Sequence, residues 1–175
     1  MTREEFSVLA LSCLDEIAAF ARRLTGNAAD ADDLVQATFE RAFGSWRELR
    51  RRAACRAWLF RIARNLFLDG KRAAAVRSQL RLAEVAKTDS AAFVVPVEVV
   101  ERLTARQLEE ALARLPREQR EALLLCDLWG FQYAEIAGIV SSPIGTVRSR
   151  IARARARLSA LLVEPAGRES RDLRP

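Results

Sequence analysis

Histidine is absent from this chain of 175 residues. Without it the sequence lacks the commonest general base and the commonest metal ligand, which excludes a Ser-His-Asp hydrolase and histidine-dependent metal chemistry. Cysteine is scarce, and Cys13, Cys55 and Cys126 form no CxxC pair. Their spacing therefore argues against a structural zinc site and a disulfide framework. We expect a protein of a reducing compartment that is not an enzyme.

Glycine and proline are scarce too, with seven and five residues. That is too few for a turn-rich β-barrel or β-sandwich, and the abundance of Ala, Leu, Arg and Glu favours helices. No uninterrupted apolar run approaches the roughly 18 residues that span a bilayer, and the N-terminus does not resemble a signal peptide. We therefore expect an all-α protein of the cytoplasm that is neither exported nor inserted in a membrane.

The charges are segregated along the chain, although the net charge is only +6. Residues 1–40 carry 3 basic and 8 acidic side chains, whereas residues 41–72 carry 10 basic and 2 acidic ones. Residues 105–147 carry 4 basic and 6 acidic side chains, and residues 148–157 hold five arginines and no acidic residue. Solvated arginine-rich faces are common in proteins. Two basic blocks alternating with two acidic ones nevertheless favour polyanion binding.

The first 40 residues have the pattern of two amphipathic helices. Apolar residues recur at steps of three and four from Phe6 onward, which predicts one helix that ends near Gly26. Cys13 belongs to that stripe, so we expect it in the core. A second helix is predicted to begin at Asn27, whose side chain can cap it while Asp30 reaches back as in a capping box.

The middle of the chain changes character twice. Residues 44–55 lose the helical period and are interpreted as a basic connection, after which a third helix is predicted to run to about residue 74. Pro96 then disfavours a continuous helix. The predicted division is a domain over residues 1–75, a linker over 76–104, a second domain over 105–163 and a disordered tail over 164–175.

The second domain has the order of elements of a helix-turn-helix. Residues 108–128 continue the helical phase with a break at Pro116, and a short helix is predicted over 133–140. Ser142 can then cap a last helix with Pro143 at its first position. A short helix, a tight turn and a capped second helix are typical of a DNA-binding helix-turn-helix.

The phase of the last helix turns its arginines outward. Val147, Ile151 and Ala154 lie on one side, so the arginines occupy the remaining surface. Such a helix fits the major groove of B-DNA, and backbone amides at its N-terminus attract a phosphate. The residues predicted to contact DNA from this helix are Thr146, Arg148, Ser149, Arg150, Arg153 and Arg157.

Several longer strings follow one another in a characteristic order. They are DADDLVQATF at 30–39, RAWLFRIARN at 56–65, LPREQR at 115–120, YAEIA at 133–137 and GTVRSRIARAR at 145–155. In this order and spacing they resemble the extracytoplasmic-function sigma factors of bacterial RNA polymerase. The resemblance covers roughly residues 5 to 162.

The resemblance implies a promoter-specificity subunit with two helical domains, called regions 2 and 4, joined by a flexible linker. Neither a catalytic residue, a metal site nor a cofactor is implied. The implied partners are the clamp helices of the polymerase's largest subunit, the flap region of the second-largest subunit, promoter DNA and an anti-sigma factor. The implied polymerase-binding residues are Asp32, Asp33, Leu34, Gln36 and Glu40.

The same resemblance assigns both basic blocks to DNA. The last helix is expected to read the -35 element. The first basic block is expected to read and melt the -10 element, because an extruded base needs stacking, edge contacts and nearby cations. The residues implied for the -10 element are Trp46, Arg56, Arg61, Arg64, Asn65, Asp69, Lys71 and Arg72. For Trp58 we expect core packing instead, and for Trp46 both roles remain open.

Two other functions remain alternatives. A stand-alone dimeric helix-turn-helix repressor would explain residues 133–162 but leaves the basic block over 41–72 and the motif at 30–39 without a role. A metal-dependent enzyme could draw only on Asp30, Asp32 and Asp33. Negative charge in the first turn of a helix explains those three residues more simply.

Two positions have predicted local properties. The family often has glycine in the helix-turn-helix turn where this chain has Ser141, so a left-handed backbone there would be strained. Cys55 lies in the basic connection, where a thiolate is favoured. It is therefore the candidate for redox control among the cysteines.

Overall fold

The structure is a computed structural model that describes residues 1–81 and 107–163. All regular structure in these two ranges is helical, which confirms the predicted fold class. The helices are α1 (Arg3–Leu11), α2 (Leu14–Thr25), α3 (Ala28–Ser45), α4 (Cys55–Arg81), α5 (107–113), α6 (Arg117–Asp127), α7 (Tyr133–Val140) and α8 (Ile144–Val163), with short 3-10 turns at Trp46–Glu48 and Arg52–Ala54.

The described residues fall into two compact units. The first contains residues 1–81 together with 131–144, and the second contains residues 107–130 and 145–163. Helix α4 continues to Arg81, so residues 76–81, predicted to be linker, are helical. The rest of the predicted linker and the predicted tail lie outside the described residues. No helix within the described ranges is both long and apolar enough to cross a bilayer.

The N-terminal segment forms two helices, so the prediction of a single helix is wrong. Helix α1 ends at Leu11, and the amide of Cys13 bonds to the carbonyl of Ala10, three residues back. The hydroxyl of Ser12 donates to the carbonyl of Leu9 at 2.8 Å, and the Cys13 thiol approaches the same carbonyl at 3.5 Å. Local side-chain bonds of this kind compete with the helical ladder, which accounts for the break.

The predicted boundary between α2 and α3 is confirmed. Gly26 ends α2 in the left-handed conformation with φ 79°. The Asn27 side chain caps α3 by accepting from the amide of Asp30 at 2.8 Å, and its own amide group donates to the Asp30 carboxylate at 2.7 Å. The side-chain amide of Asn27 thus takes the part that the backbone amide has in a capping box.

Aromatic side chains form the centre of the first unit. Phe6 is fully buried, and its ring centroid lies 5.2 Å from that of Phe43 and 6.1 Å from that of Trp58. Trp58 is therefore a core residue, as predicted. Phe60 of α4 is also fully buried and meets Phe131 edge to face at 4.9 Å. Each such buried side chain contributes about 1.5 to 3 kcal/mol through the area it removes from water.

The helices of the helix-turn-helix have the predicted order. Val147, Ile151 and Ala154 of α8 are buried, as the sequence phase predicted. Helix α8 begins at Ile144, one residue after the predicted start at Pro143. Ser141 ends α7 with φ 52° and ψ 49°, which is the left-handed conformation that is strained for a residue other than glycine.

Candidate nucleic-acid and polymerase interfaces

Carboxylates of α6 pair with two of the five arginines of α8. The guanidinium of Arg150 forms an ion pair with Glu118, and its side chain is only 20% exposed. Arg155 pairs with Asp127 at 2.6 Å, although its side chain is 52% exposed. Arg148, Arg153 and Arg157 are exposed to solvent. Four of the five arginines are thus exposed, and one of these four is paired with a carboxylate.

Two polar residues near the start of α8 are less exposed than its first residues. Thr146 and Ser149 are both half-buried, and the Ser149 hydroxyl donates to the carbonyl of Thr146 at 2.9 Å. Backbone amides in a first helical turn have no partner within the helix, so this end of α8 can still attract an anion.

Helix α4 presents a basic face. At about 100° per residue, six of the residues predicted for the -10 element lie on the side of α4 opposite its buried residues Leu59 and Ala63. Asp69 and Arg72 form an ion pair at 3.2 Å, and the Lys71 ammonium lies 5.2 Å from the centre of the Phe67 ring. These six residues are Arg61, Arg64, Asn65, Asp69, Lys71 and Arg72.

Arg56 lies apart from that face. It precedes Arg61 by five positions, which rotates it by about 140° around the helix. Its Nε donates to Glu16 of α2 at 2.7 Å, and its guanidinium carbon lies 4.1 Å from the centre of the Phe131 ring. The structure therefore places Arg56 in packing contacts of the first unit.

Trp46 and Arg61 each border the packed part of the first unit and are also accessible to solvent. Trp46 is half-buried and stacks on Phe6 with the ring centroids 6.4 Å apart. Arg61 is exposed and, with Trp58, borders a cavity of about 400 Å³ that Ile139 of α7 also lines. Asn65 and Arg72 of the same basic face are exposed and do not line that cavity.

Helix α3 presents an acidic face of the first unit. Asp32, Asp33, Gln36 and Glu40 are exposed within about 100° of one another around the helix. The Gln36 amide donates to the Glu40 carboxylate at 2.8 Å, one turn later. Leu34, predicted with them, instead lies in the core with Ala21 and Ala31.

Two cysteines are buried in the first unit. Cys13 is a core residue, as predicted. Cys55 is only 3% exposed, and desolvation, followed by the charge of Cys13, raises the pKa of its thiol to about 11. The expectation that the basic connection favours a Cys55 thiolate is therefore wrong, because burial outweighs the nearby arginines. Across residues 1–81 and 107–163 no group of three metal-ligating side chains occurs.

Comparisons with known proteins show the family of this chain. The chain matches the family models "Sigma-70 region 2" over residues 9–77 and "Sigma-70, region 4" over residues 105–158. It is 40% identical over 156 residues to the ECF RNA polymerase sigma factor EcfG of Rhodopseudomonas palustris (strain TIE-1), covering 87% of this chain and 82% of that protein. The chain belongs to the ECF family of RNA polymerase sigma factors.

Two solved structures share the fold. The sigma factor RpoE from Bartonella quintana, in complex with the anti-sigma factor NepR, has a TM-score of 0.68 and 32% identity over 91% of this chain and 97% of that one. CnrH, in complex with the cytosolic domain of CnrY, has a TM-score of 0.63 and 28% identity over 92% of this chain and 89% of that one.

This ECF sigma factor directs promoter-specific transcription initiation and is not an enzyme. The alternative of a stand-alone repressor is not supported. The region 2 match over residues 9–77 includes both the acidic motif and the first basic block, which a repressor left without a role.

The sequence did not reveal which carboxylates and aromatic rings contact Arg56 and Arg150. Glu16 and Phe131 hold Arg56, and Glu118 holds Arg150. In the sequence these partners are 28 or more residues distant from their arginines, so no local spacing marks them. The only available signal was the acidic character of residues 105–147 beside the arginine-rich end of the chain.

Proposed function

We propose that this sigma factor acts in the cytoplasm through three separate surfaces, without a cofactor. The exposed arginines of α8 recognise the -35 element, the basic face of α4 recognises the -10 element, and the acidic face of α3 binds core RNA polymerase. The observation that carries this proposal is the arginine surface of α8, where Arg148, Arg153 and Arg157 are exposed outside a fully buried stripe.

The -35 element is read as duplex DNA. An arginine can donate two hydrogen bonds to the edge of a guanine in the major groove, or it can bind a phosphate. Arg148 and Arg153 lie in the first half of α8, and Arg157 follows Arg153 by one turn. Thr146 and Ser149 lie beside the amides of the first turn, where they help to bind a backbone phosphate.

The -10 element is read in melted form. Single-stranded DNA binds to grooves that combine cations along the backbone with aromatic rings on which bases stack. The α4 face supplies the cations, including Arg61, Arg64 and Arg72, while Asn65 and Asp69 offer hydrogen-bonding groups for base edges. Trp46 supplies an aromatic surface. We leave Arg56 out of this surface, because Glu16 and Phe131 already contact its guanidinium.

Core polymerase binds the α3 face, with the clamp helices of its largest subunit as the site. Asp32, Asp33, Gln36 and Glu40 are exposed there, so their charges can pair with basic residues of the polymerase. Leu34 supports this face from within the core. The second domain, predicted over residues 105–163, would contact the flap region of the second-largest subunit.

An anti-sigma factor is a further proposed partner. Bartonella quintana RpoE was solved with NepR and CnrH with the cytosolic domain of CnrY, and the chain aligns with about nine-tenths or more of its length to each. We propose that this chain is likewise held by an anti-sigma factor until a signal releases it.

The polymerase surface is tested by charge reversal. The double variant Asp32→Arg/Asp33→Arg should weaken binding to core polymerase at least tenfold in a fluorescence titration, because like charges then meet across the interface. The matched control is Glu4→Arg/Asp15→Arg, which changes the net charge equally at exposed positions of α1 and α2. Circular dichroism checks that both variants keep their helices. Equal affinity of the two double variants would reject the α3 assignment.

The DNA surfaces are tested by transcription. Core polymerase and this protein are supplied with a fragmented library of the source genome, and transcript starts are mapped. We expect the upstream sequences to share two elements. Arg153→Ala should then cost about 1 to 3 kcal/mol of discrimination at the -35 element. Unchanged use of every -35 variant would reject the assignment of α8.

A further inference from the structure

Two carboxylates of α6 hold two of the five arginines of α8 within the second unit. Glu118 lies in the first turn of α6 and pairs with Arg150. Asp127 is the last residue of α6 and pairs with Arg155 through two hydrogen bonds, at 2.6 and 3.4 Å. The two carboxylates stand at opposite ends of α6, about 13 Å apart at 1.5 Å per residue, so the pairs fasten α8 at two separate points.

The two pairs bracket the buried stripe of α8. At about 100° per residue, Arg150 and Arg155 lie about 70° to either side of the centre of the stripe formed by Val147, Ile151 and Ala154. Arg153 lies about 130° from that centre. The paired arginines therefore border the packing surface, whereas Arg153 points away from it.

The two paired arginines differ in burial. The Arg150 side chain is 20% exposed, although Glu118 is 66% exposed. The Arg155 side chain is 52% exposed and is held by two hydrogen bonds to Asp127. Long basic side chains commonly lay their aliphatic part over apolar surface and leave only the charge free. For both arginines that charge already meets a carboxylate, and charge-assisted hydrogen bonds of this kind are among the strong ones.

We propose that Glu118 and Asp127 are positioning residues for DNA recognition. By binding Arg150 and Arg155 they set the position of α8 on α6 and withhold both guanidinium groups from DNA, which leaves the reading to Arg148, Arg153 and Arg157. This inference rests on the proposed function, in which α8 reads the -35 element. It differs from the expectation that Arg150 contacts DNA.

The salt dependence of DNA binding distinguishes these roles. The slope of log affinity against log salt concentration is negative, and each phosphate that a basic residue neutralises makes it steeper by about 0.9. An arginine committed to a carboxylate contributes nothing to that slope. Releasing it by removing the carboxylate charge adds one cation that can reach a phosphate.

The experiment uses the full-length protein bound to core polymerase and a promoter duplex mapped as above. Affinity is measured at several salt concentrations, for the wild-type -35 element and for single-base variants, with four proteins. They are the wild type, Arg150→Gln, Glu118→Gln and the double variant. Arg153→Gln serves as the positive control for a residue that reads DNA, and circular dichroism checks the fold of each variant.

The proposal gives a distinct pattern. Arg150→Gln leaves the salt slope and the -35 preference unchanged. Glu118→Gln makes the salt slope steeper by about 0.9, because Arg150 is released and can reach a phosphate. The double variant returns to the wild-type slope. This cycle is its own control, because a general effect of removing one negative charge would persist when Arg150 is absent.

The opposite pattern overturns the proposal. In that pattern Arg150→Gln makes the salt slope shallower, or weakens the -35 preference, as much as Arg153→Gln does. In that case Arg150 dissociates from Glu118, contacts DNA and is a reading residue. If Arg153→Gln also changes neither quantity, the assignment of α8 to the -35 element fails first. Should Glu118→Gln unfold, the same cycle on Asp127 and Arg155 decides the proposal at the other end of α6.

Discussion

The left-handed turn at Ser141 stores strain that a single substitution should release. Ser141 has φ 52° and ψ 49° and ends α7 just before the helix proposed to read DNA. A residue with a Cβ atom pays about 1 to 2 kcal/mol for this conformation. Glycine avoids that cost but loses about 0.4 to 1 kcal/mol more conformational entropy on folding. Ser141→Gly should therefore stabilise the turn by about 0.5 to 1 kcal/mol net.

Hydrogen exchange of the full-length protein measures this gain locally. A gain of about 0.5 to 1 kcal/mol corresponds to an increase of about two- to fivefold in the protection of amides at the end of α7 and the start of α8. Ser141→Ala is the control, because it removes the hydroxyl and keeps the Cβ atom. Protection of Ser141→Gly no greater than that of Ser141→Ala would refute the strain argument.

Three further predictions concern the cap of α3, the reactivity of the cysteines and the stability of the protein at low pH. Asn27→Ala should lower the free energy of unfolding by about 1 kcal/mol in urea titrations, since it removes the cap, and an unchanged midpoint would contradict this. Iodoacetamide at neutral pH should label Cys126 before Cys55, whose burial raises its pKa to about 11; peptide mapping gives the order, and equal labelling would contradict it. The hydrogen bond from Arg155 lowers the pKa of Asp127 below 3.8, so this stabilisation is present above pH 3.8 and lost as the pH falls through the lowered value. Asp127→Asn should therefore have a lower free energy of unfolding than the wild type near neutral pH, and the difference should shrink as the pH falls. Identical dependence of the free energy of unfolding on pH in the two proteins would show that the Asp127–Arg155 pair does not stabilise the fold.

Local features of the fold were predictable from the sequence because their causes are local. The end of α2 at Gly26 and the cap at Asn27 each depend on a few adjacent residues. The buried stripe of α8 follows from the phase of Val147, Ile151 and Ala154. Side-chain chemistry and helical periodicity act over one or two turns, which is the range that a sequence pattern reports.

Features set by tertiary contacts were not predictable in the same way. The break between α1 and α2 depends on whether Ser12 and Cys13 bond to the carbonyl of Leu9, which competes closely with the continuous helix. Arg56 and Arg150 lie in basic stretches of sequence that are typical of DNA contacts. Each nevertheless forms an ion pair with a carboxylate that is distant in the sequence. Periodicity indicates that an arginine lies outside the buried stripe but not which acidic residue the fold brings to it.

The prediction for Cys55 failed for a related reason. The charge of the neighbouring sequence argued for a thiolate, whereas the fold places the thiol at the buried start of α4 beside Cys13. Desolvation is a property of the packed structure, and a one-dimensional count of arginines does not contain it.

We propose that this one chain recognises two different promoter elements on behalf of core polymerase. The test is initiation by core polymerase and this protein on a mapped promoter in which the -35 and -10 elements are replaced separately. We expect each replacement to abolish initiation by the wild type, and Arg153→Ala to lose its discrimination only at the -35 element. If initiation survives the replacement of either element, the chain does not recognise both.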